Sequence, residues 1–270
     1  MRNGGTFPLY TFPLVGNSIV ILWFIYLLAS CGDANLAESS TENTPDEIAR
    51  LALEAKDWDQ CIVLYGALIA DDPTGYQRYP LISTCYAGRA GIDLLNIVRA
   101  QVVQGGQQEE GQGGDVFESI GQYVPQDPTD QQLADINEAV SRLEQMPLEH
   151  RAKDGAYPYS SEAAFQFDLY LGASSSMFVN KYREVDAEGN VDRERLEEMS
   201  DEEVDDLFNN LDSIVEANEA ENEGLGENVE ATVSEINQME GATQREKLIN
   251  YLAQTENQTN LSLTQGCSDE

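Results

Sequence analysis

The sequence predicts an all-α fold, and three observations carry that prediction. Apolar residues recur at helical offsets through the folded stretches, Thr- and Ser-led caps open several of them, and strand-like alternation is scarce. With 270 residues and 41% apolar content the chain has enough material to bury a real core in one or two domains.

The first thirty residues read as an address. They contain one charge, Arg2, and an unbroken apolar run from Ile19 to Ala29, IVILWFIYLLA. At about 1.5 Å per residue that run falls short of a hydrocarbon core roughly 30 Å thick, which suits a signal-peptide apolar region better than a spanning helix. The run closes on Leu28-Ala29-Ser30-Cys31, and the chain turns polar at once with Gly32-Asp33. Leu-Ala-Ser-Cys resembles a bacterial lipobox, although the region before the apolar run is long and weakly basic for that family. The resemblance implies a signal peptide over 1–30 and acyl chains, palmitate among them, on Cys31. Each buried methylene contributes on the order of 0.8 kcal/mol, so several chains hold firmly. By the sorting rules of such lipoproteins, Gly32 after the cysteine favours the periplasmic face of the outer membrane, while Asp33 leaves inner-membrane retention open.

Residues 31–44 are small and polar and read as a flexible tether. Thr44-Pro45-Asp46-Glu47 is a capping box with Pro at the first helical position, so folding starts there. A helical block runs from Pro45 to Val103, and QGGQQEEGQGGD follows as a Gly/Gln-rich loop over 104–115. Val116 to Val124 is a short apolar stretch closed by Pro125 and Pro128. A second capping box, Thr129-Asp130-Gln131-Gln132, opens a helix with Leu133, Ile136, Val140 and Leu143 on one stripe. Ser161–Tyr182 is the most apolar segment after the leader; Asp168, Gly172 and its serines make it a buried core helix. Ser200 caps a helix with a wide stripe of Val204, Leu207, Phe208, Leu211, Ile214 and Val215. Another helix passes through Val233, Ile236 and Met239 toward Leu248 and Tyr251. The region 116–255 is thus expected to pack as acidic helices on the first block, with 256–270 a disordered tail.

The most specific pattern after the leader lies in Pro45–Val98. Asp57 and Trp58 open the stretch DWDQCIVLYGALIADDP, Cys61 is its small residue, Tyr65 its aromatic, and Pro73 closes it. Ile48-Ala49 supplies a large-small pair in the preceding helix. Beyond Pro73, Tyr79, Ile82, Ser83 and Tyr86 fall at the offsets of a following first helix, but no proline closes that unit. These residues resemble a tetratricopeptide repeat over about one and a half units, so the other helices must complete the core. The resemblance implies α-solenoid-like hairpins and binding of an extended peptide or a partner helix in a groove. Trp58, Tyr65 and Tyr86 are expected to pack rather than to touch ligand.

Cys61 and Cys85 lie at equal distances on either side of Pro73. In antiparallel helices joined there they sit at similar height, which favours a disulfide, with two buried thiols as the alternative. Cys267 is left unpaired. Asp186–Asp192 alternates oxygen side chains, but Gly189 is out of register for a calcium loop, and a solvated turn is the better account. No nucleophile elbow or phosphate-cradling loop appears; Gly105-Gly106 and Gly113-Gly114 lack the lysine and strand that such a loop needs. His150, the single histidine, stands among polar neighbours and reads as a surface residue. Neither a catalytic set, a metal site nor a cofactor is expected.

Asp and Glu number 49 against 15 Lys and Arg, a net charge of −34. Without its leader the chain carries 14 − 49 = −35. Nucleic acid and anionic bilayer faces both need a basic footprint that this balance denies. Solubility is the default role of the acids, with a basic partner surface as the alternative. The expected function is a lipid-anchored envelope adaptor for another protein or peptide. One rival is a solute-binding lipoprotein with a cavity lined by Tyr157, Tyr159, Phe165 and Tyr170. Another is a structural lipoprotein that binds calcium weakly.

Overall fold

The computed structural model describes residues 43–93, 116–183, 191–218 and 225–265. The lipobox-like residues Leu28, Ala29, Ser30 and Cys31, the tether as far as residue 42, the loop 104–115 and the calcium-like stretch as far as residue 190 lie outside them. Among the described residues the secondary structure is helical, with no β-strand.

Local signals place the helix starts. At α1 (Pro45–Glu54) the Thr44 amide donates to Glu47 at 2.8 Å and the Glu47 amide donates to the Thr44 hydroxyl at 3.3 Å. Asp57 caps α2 (Trp58–Asp71) by accepting from the Gln60 amide. A 3-10 turn, Tyr76–Arg78, leads into α3 (Tyr79–Arg89), and α4 is Val116–Gly121. The Thr129–Gln132 box opens α5 (Asp130–Glu144) with reciprocal bonds of 3.0 and 3.2 Å. After a second 3-10 turn, Leu148–His150, come α6 (Ser160–Tyr182) and α7 (Arg193–Leu196). Ser200 and Glu203 cap α8 (Asp201–Asn218) reciprocally at 3.0 and 3.2 Å. The last two helices are α9 (Leu225–Gln238) and α10 (Gln244–Gln265). α10 continues well past residue 255, where a disordered tail was expected. The reason is local: no Gly or Pro interrupts the chain between Gln244 and Gly266.

Helices pack largely on their chain neighbours: α1 on α2, α2 on α3, α3 on α5, α5 on α6, α6 on α8, α8 on α9 and α9 on α10. α6 is the hub and also meets α3 and α4. Nearly every side chain from Ala163 to Tyr182 is buried, which suits a helix apolar all round in the middle of a domain. Its serines are small enough to let neighbours approach. Ser174 bonds Asn137 at 2.6 Å, and Ser175 returns to the Leu171 carbonyl at 2.9 Å. No helix among the described residues is long and apolar enough to cross a membrane.

α2 and α3 run antiparallel, as paired positions along their interface show. The Trp58 indole lies against Gly88, Cys61 is disulfide-bonded to Cys85 with Cα atoms 6.0 Å apart, and Gly66 faces Ile82. Arg89 then ties three helices together. It donates to both carboxylate oxygens of Asp135 at 2.8 and 2.7 Å and to Asp59 at 2.8 Å. Asp135 is 3% exposed and Arg89 32%, so the carboxylate of this bidentate pair is almost dry while the guanidinium keeps some solvent.

Candidate groove between two helix ends

The ends of α1 and α3 are built alike. After α1 the Asp57 amide donates to the Ala52 carbonyl at 2.9 Å and the Lys56 amide to Leu53 at 3.0 Å. After α3 the Ile92 amide donates to Ala87 at 2.9 Å and the Gly91 amide to Gly88 at 3.1 Å. Both are Schellman turns, which need a left-handed residue just past the helix. Gly91 supplies it at φ 91°, and Lys56 does so at φ 56° despite its side chain. A left-handed residue with a Cβ is strained by roughly 1–2 kcal/mol, and Lys56 is the one such non-glycine among the described residues. Its ammonium reaches Asp93, 3.6 Å away on the other turn.

Between these turns lies a groove of about 480 Å³, open to solvent, within the range of ligand sites. Leu53, Trp58 and Ile92 give it apolar walls; Glu54, Lys56 and Asp93 stand at its mouth. Gly88 has to lack a side chain, because a Cβ there would meet the Trp58 indole at 2.7 Å. Tyr170, fully buried on α6, closes the floor beside Thr84, with their hydroxyls 3.4 Å apart. Burial pushes the Tyr170 phenol above its ordinary range, so it remains a neutral hydroxyl at physiological pH.

Of the repeat-like positions, Ala49, Tyr65, Tyr79 and Ile82 are buried. Tyr79 donates to the carbonyl of exposed Pro73 at 3.1 Å. Ile48 is 40% exposed and faces away from the core. Tyr86 is half-buried, with the guanidinium groups of Arg89 and Arg142 over its ring. Trp58 packs on Gly88 and also lines the groove.

The four aromatic residues expected to line one cavity are dispersed. Tyr170 lies under the groove, Phe165 is 40% exposed, and Tyr157 and Tyr159 belong to a separate aromatic cluster. That cluster includes His150, which is half-buried and has aromatic partners that its polar chain neighbours do not suggest. Its ring stacks on Tyr157 at 3.9 Å and lies 4.3 Å from Tyr76, while Nδ1 is 2.6 Å from the Tyr159 hydroxyl. Adjacent residues could not reveal this, because Tyr76 arrives from the α2–α3 connection. A second cleft, about 300 Å³ between α5, α6 and α8, has a mixed polar and apolar lining, and its Lys181 bonds Asp130 at 3.1 Å. Among the described residues no group of three or more His, Cys, Asp or Glu is placed to hold a metal.

The class these features define is an all-α protein of sequentially packed helices with a groove at one set of helix ends. Comparison with family models, with curated proteins and with solved structures finds no match to the chain.

Proposed function

We propose that the chain is a lipid-anchored cell-envelope protein that acts as a non-catalytic adaptor for another envelope protein or peptide. One observation carries the anchor: Leu28-Ala29-Ser30-Cys31 stands directly after an apolar run too short to span a bilayer. In this reading Cys31 takes the acyl chains on the periplasmic face of the outer membrane. Residues 45–93 form a tetratricopeptide-like hairpin with the first helix of a following unit. The pairing of α1 with α2 and α2 with α3, and a groove at their ends, support the binding role. Solute binding, the alternative, would draw on the same groove.

The test is crosslinking in cells that express the tagged full-length chain, followed by purification from the membrane fraction, with Cys31→Ser alongside. One recurrent envelope partner, lost with the anchor, is the expected result. A wild-type chain in the soluble fraction would overturn the anchor. A membrane-bound chain without a partner would overturn the adaptor in favour of the solute.

A further inference from the structure

Resting on the adaptor reading, we infer that the groove between the two Schellman turns receives one large apolar side chain of a partner polypeptide, flanked by Lys or Arg. Three features of the groove point to this occupant. Its walls present an indole, Leu53 and Ile92, and its floor adds one neutral hydroxyl pair, Tyr170 and Thr84. Such a lining favours an apolar body over a charged or many-hydroxyl ligand. The groove is open on one side, whereas drug-sized solutes are held with about 70–90% of their surface buried. A side chain that enters from a chain lying across the mouth needs no such enclosure.

The flanking charge follows from the mouth. Glu54 and Asp93 stand there against Lys56, with the capping Asp57 beside them; Arg50 pairs with Glu54 at 3.7 Å behind the mouth, and the chain as a whole carries a net charge of −34. Lys56 is tied to Asp93 rather than projecting alone. Long-range attraction therefore selects a basic segment and speeds its encounter. The left-handed Lys56 and Asp93 pair across the mouth from one turn to the other, an exposed contact that an entering side chain displaces at little cost. Gly88 sets the place of the indole wall, since a Cβ there would meet Trp58 at 2.7 Å and displace it.

Trp58 is also the reporter. The chain has two tryptophans; Trp23 lies in the leader, so the processed protein holds Trp58 as its single indole, and Trp23→Phe secures the same in any unprocessed full-length chain. It is titrated, in detergent micelles, with the blocked pentapeptide KKFKK, with KKAKK and EEFEE as controls and free indole as the solute probe. The expected result is a saturable change in Trp58 emission with KKFKK, at least tenfold weaker with either control peptide. Gly88→Ala should weaken KKFKK at least tenfold, with circular dichroism checking the fold. Glu54→Lys, an exposed change that leaves the core alone, should weaken KKFKK about threefold and strengthen EEFEE. No saturable response to KKFKK, equal affinity for KKAKK, or a response to free indole alone would each overturn the inference. A crosslinked partner retained in both Gly88→Ala and Glu54→Lys cells would leave the adaptor standing while removing the groove as its docking site.

Discussion

The three helices α1–α3 and the three helices α8–α10 are held together by different means. Small residues stand at the close approaches of the first group: Ala49, Ala52 and Cys61 are buried there, with Gly66 and Gly88 at the α2–α3 interface, beside the larger Tyr65, Ile69, Tyr79 and Ile82. Large ones dominate the second: Leu207, Phe208, Leu211, Ile214, Val229, Ile236, Leu248 and Leu252 are all buried. A fully buried Leu or Ile contributes roughly 1.5–3 kcal/mol, so a stripe of them suffices. Alanine and glycine bring backbones close but bury little. The first group is accordingly fastened by the Cys61–Cys85 disulfide, by Arg78 on Asp46, and by the Arg89 cluster. Across α8–α10 the polar links run mainly from side chains to carbonyls near helix ends, as Lys247 does to Asn237 and Asn250 to Glu240.

The sharpest way to break this contrast is Arg89→Ala. It leaves the Asp135 carboxylate, 3% exposed, without its guanidinium. Removing one partner of a buried pair costs about 3–5 kcal/mol. Urea unfolding should show that loss, and the double change Arg89→Met with Asp135→Leu should recover most of it. A loss below about 1 kcal/mol for the single change would mean that Arg89 is a surface ion pair of ordinary weight.

Next come two changes of similar size and different character. Closing a loop of this length contributes about 3 kcal/mol, so Cys61→Ala with Cys85→Ala should lower stability by about that much and abolish sensitivity to reductant. Leu211→Ala, at a fully buried position of α8, should cost about 3 kcal/mol with reductant or without it. If reductant made no difference to the wild-type chain, covalent fastening of α2 to α3 would not be what supplements their small side chains.

The contrast also explains what was legible in the sequence. Caps and stripes are local, so Thr44, Thr129, Ser200 and the Val204–Ile214 stripe are visible from spacing alone and stand where spacing puts them. The all-α class follows from them. The groove was not legible, because it joins Trp58, Gly88 and Tyr170 across more than a hundred residues, and nothing local marks Tyr170 as a floor. The partners of His150 are hidden for the same reason: Tyr76 and Tyr157 meet it through the fold, and its polar chain neighbours do not mark them. One local clue to the groove existed, since Ala90-Gly91-Ile92 is a helix end with glycine in the left-handed place. The matching turn at Lys56 carried no such mark.

Those two turns make a smaller test of the groove end of α1–α3. Lys56→Gly relieves the left-handed strain but frees an unfolded chain and loses the Asp93 pair, for a net gain of about 0.5 kcal/mol. Gly91→Ala should do the reverse and cost roughly 1–2 kcal/mol, since a Cβ there also meets Pro125 at 3.3 Å. Equal and opposite effects would show that the turns are interchangeable in backbone. A loss on Lys56→Gly would show that the bridge to Asp93 outweighs the strain.

The smallest effect probes α8, through pH. Burial raises the Glu203 carboxyl, but bonds from the Ser200 amide at 3.0 Å, its hydroxyl at 2.7 Å and the Tyr182 hydroxyl at 2.8 Å outweigh it, so the group lies below its ordinary 4.5. A carboxyl depressed in the fold binds its proton more readily once unfolded. Its contribution is therefore present above pH 4.5 and is lost as pH falls through the lower folded value. The side chain is 38% exposed, so solvent screens much of the effect. Glu203→Gln should lower stability slightly at neutral pH and flatten the acid limb below pH 4.5, measured as thermal midpoint against pH. An unchanged acid limb would assign the pH dependence of α8 to its other carboxylates and leave the Ser200–Glu203 pair as a cap alone.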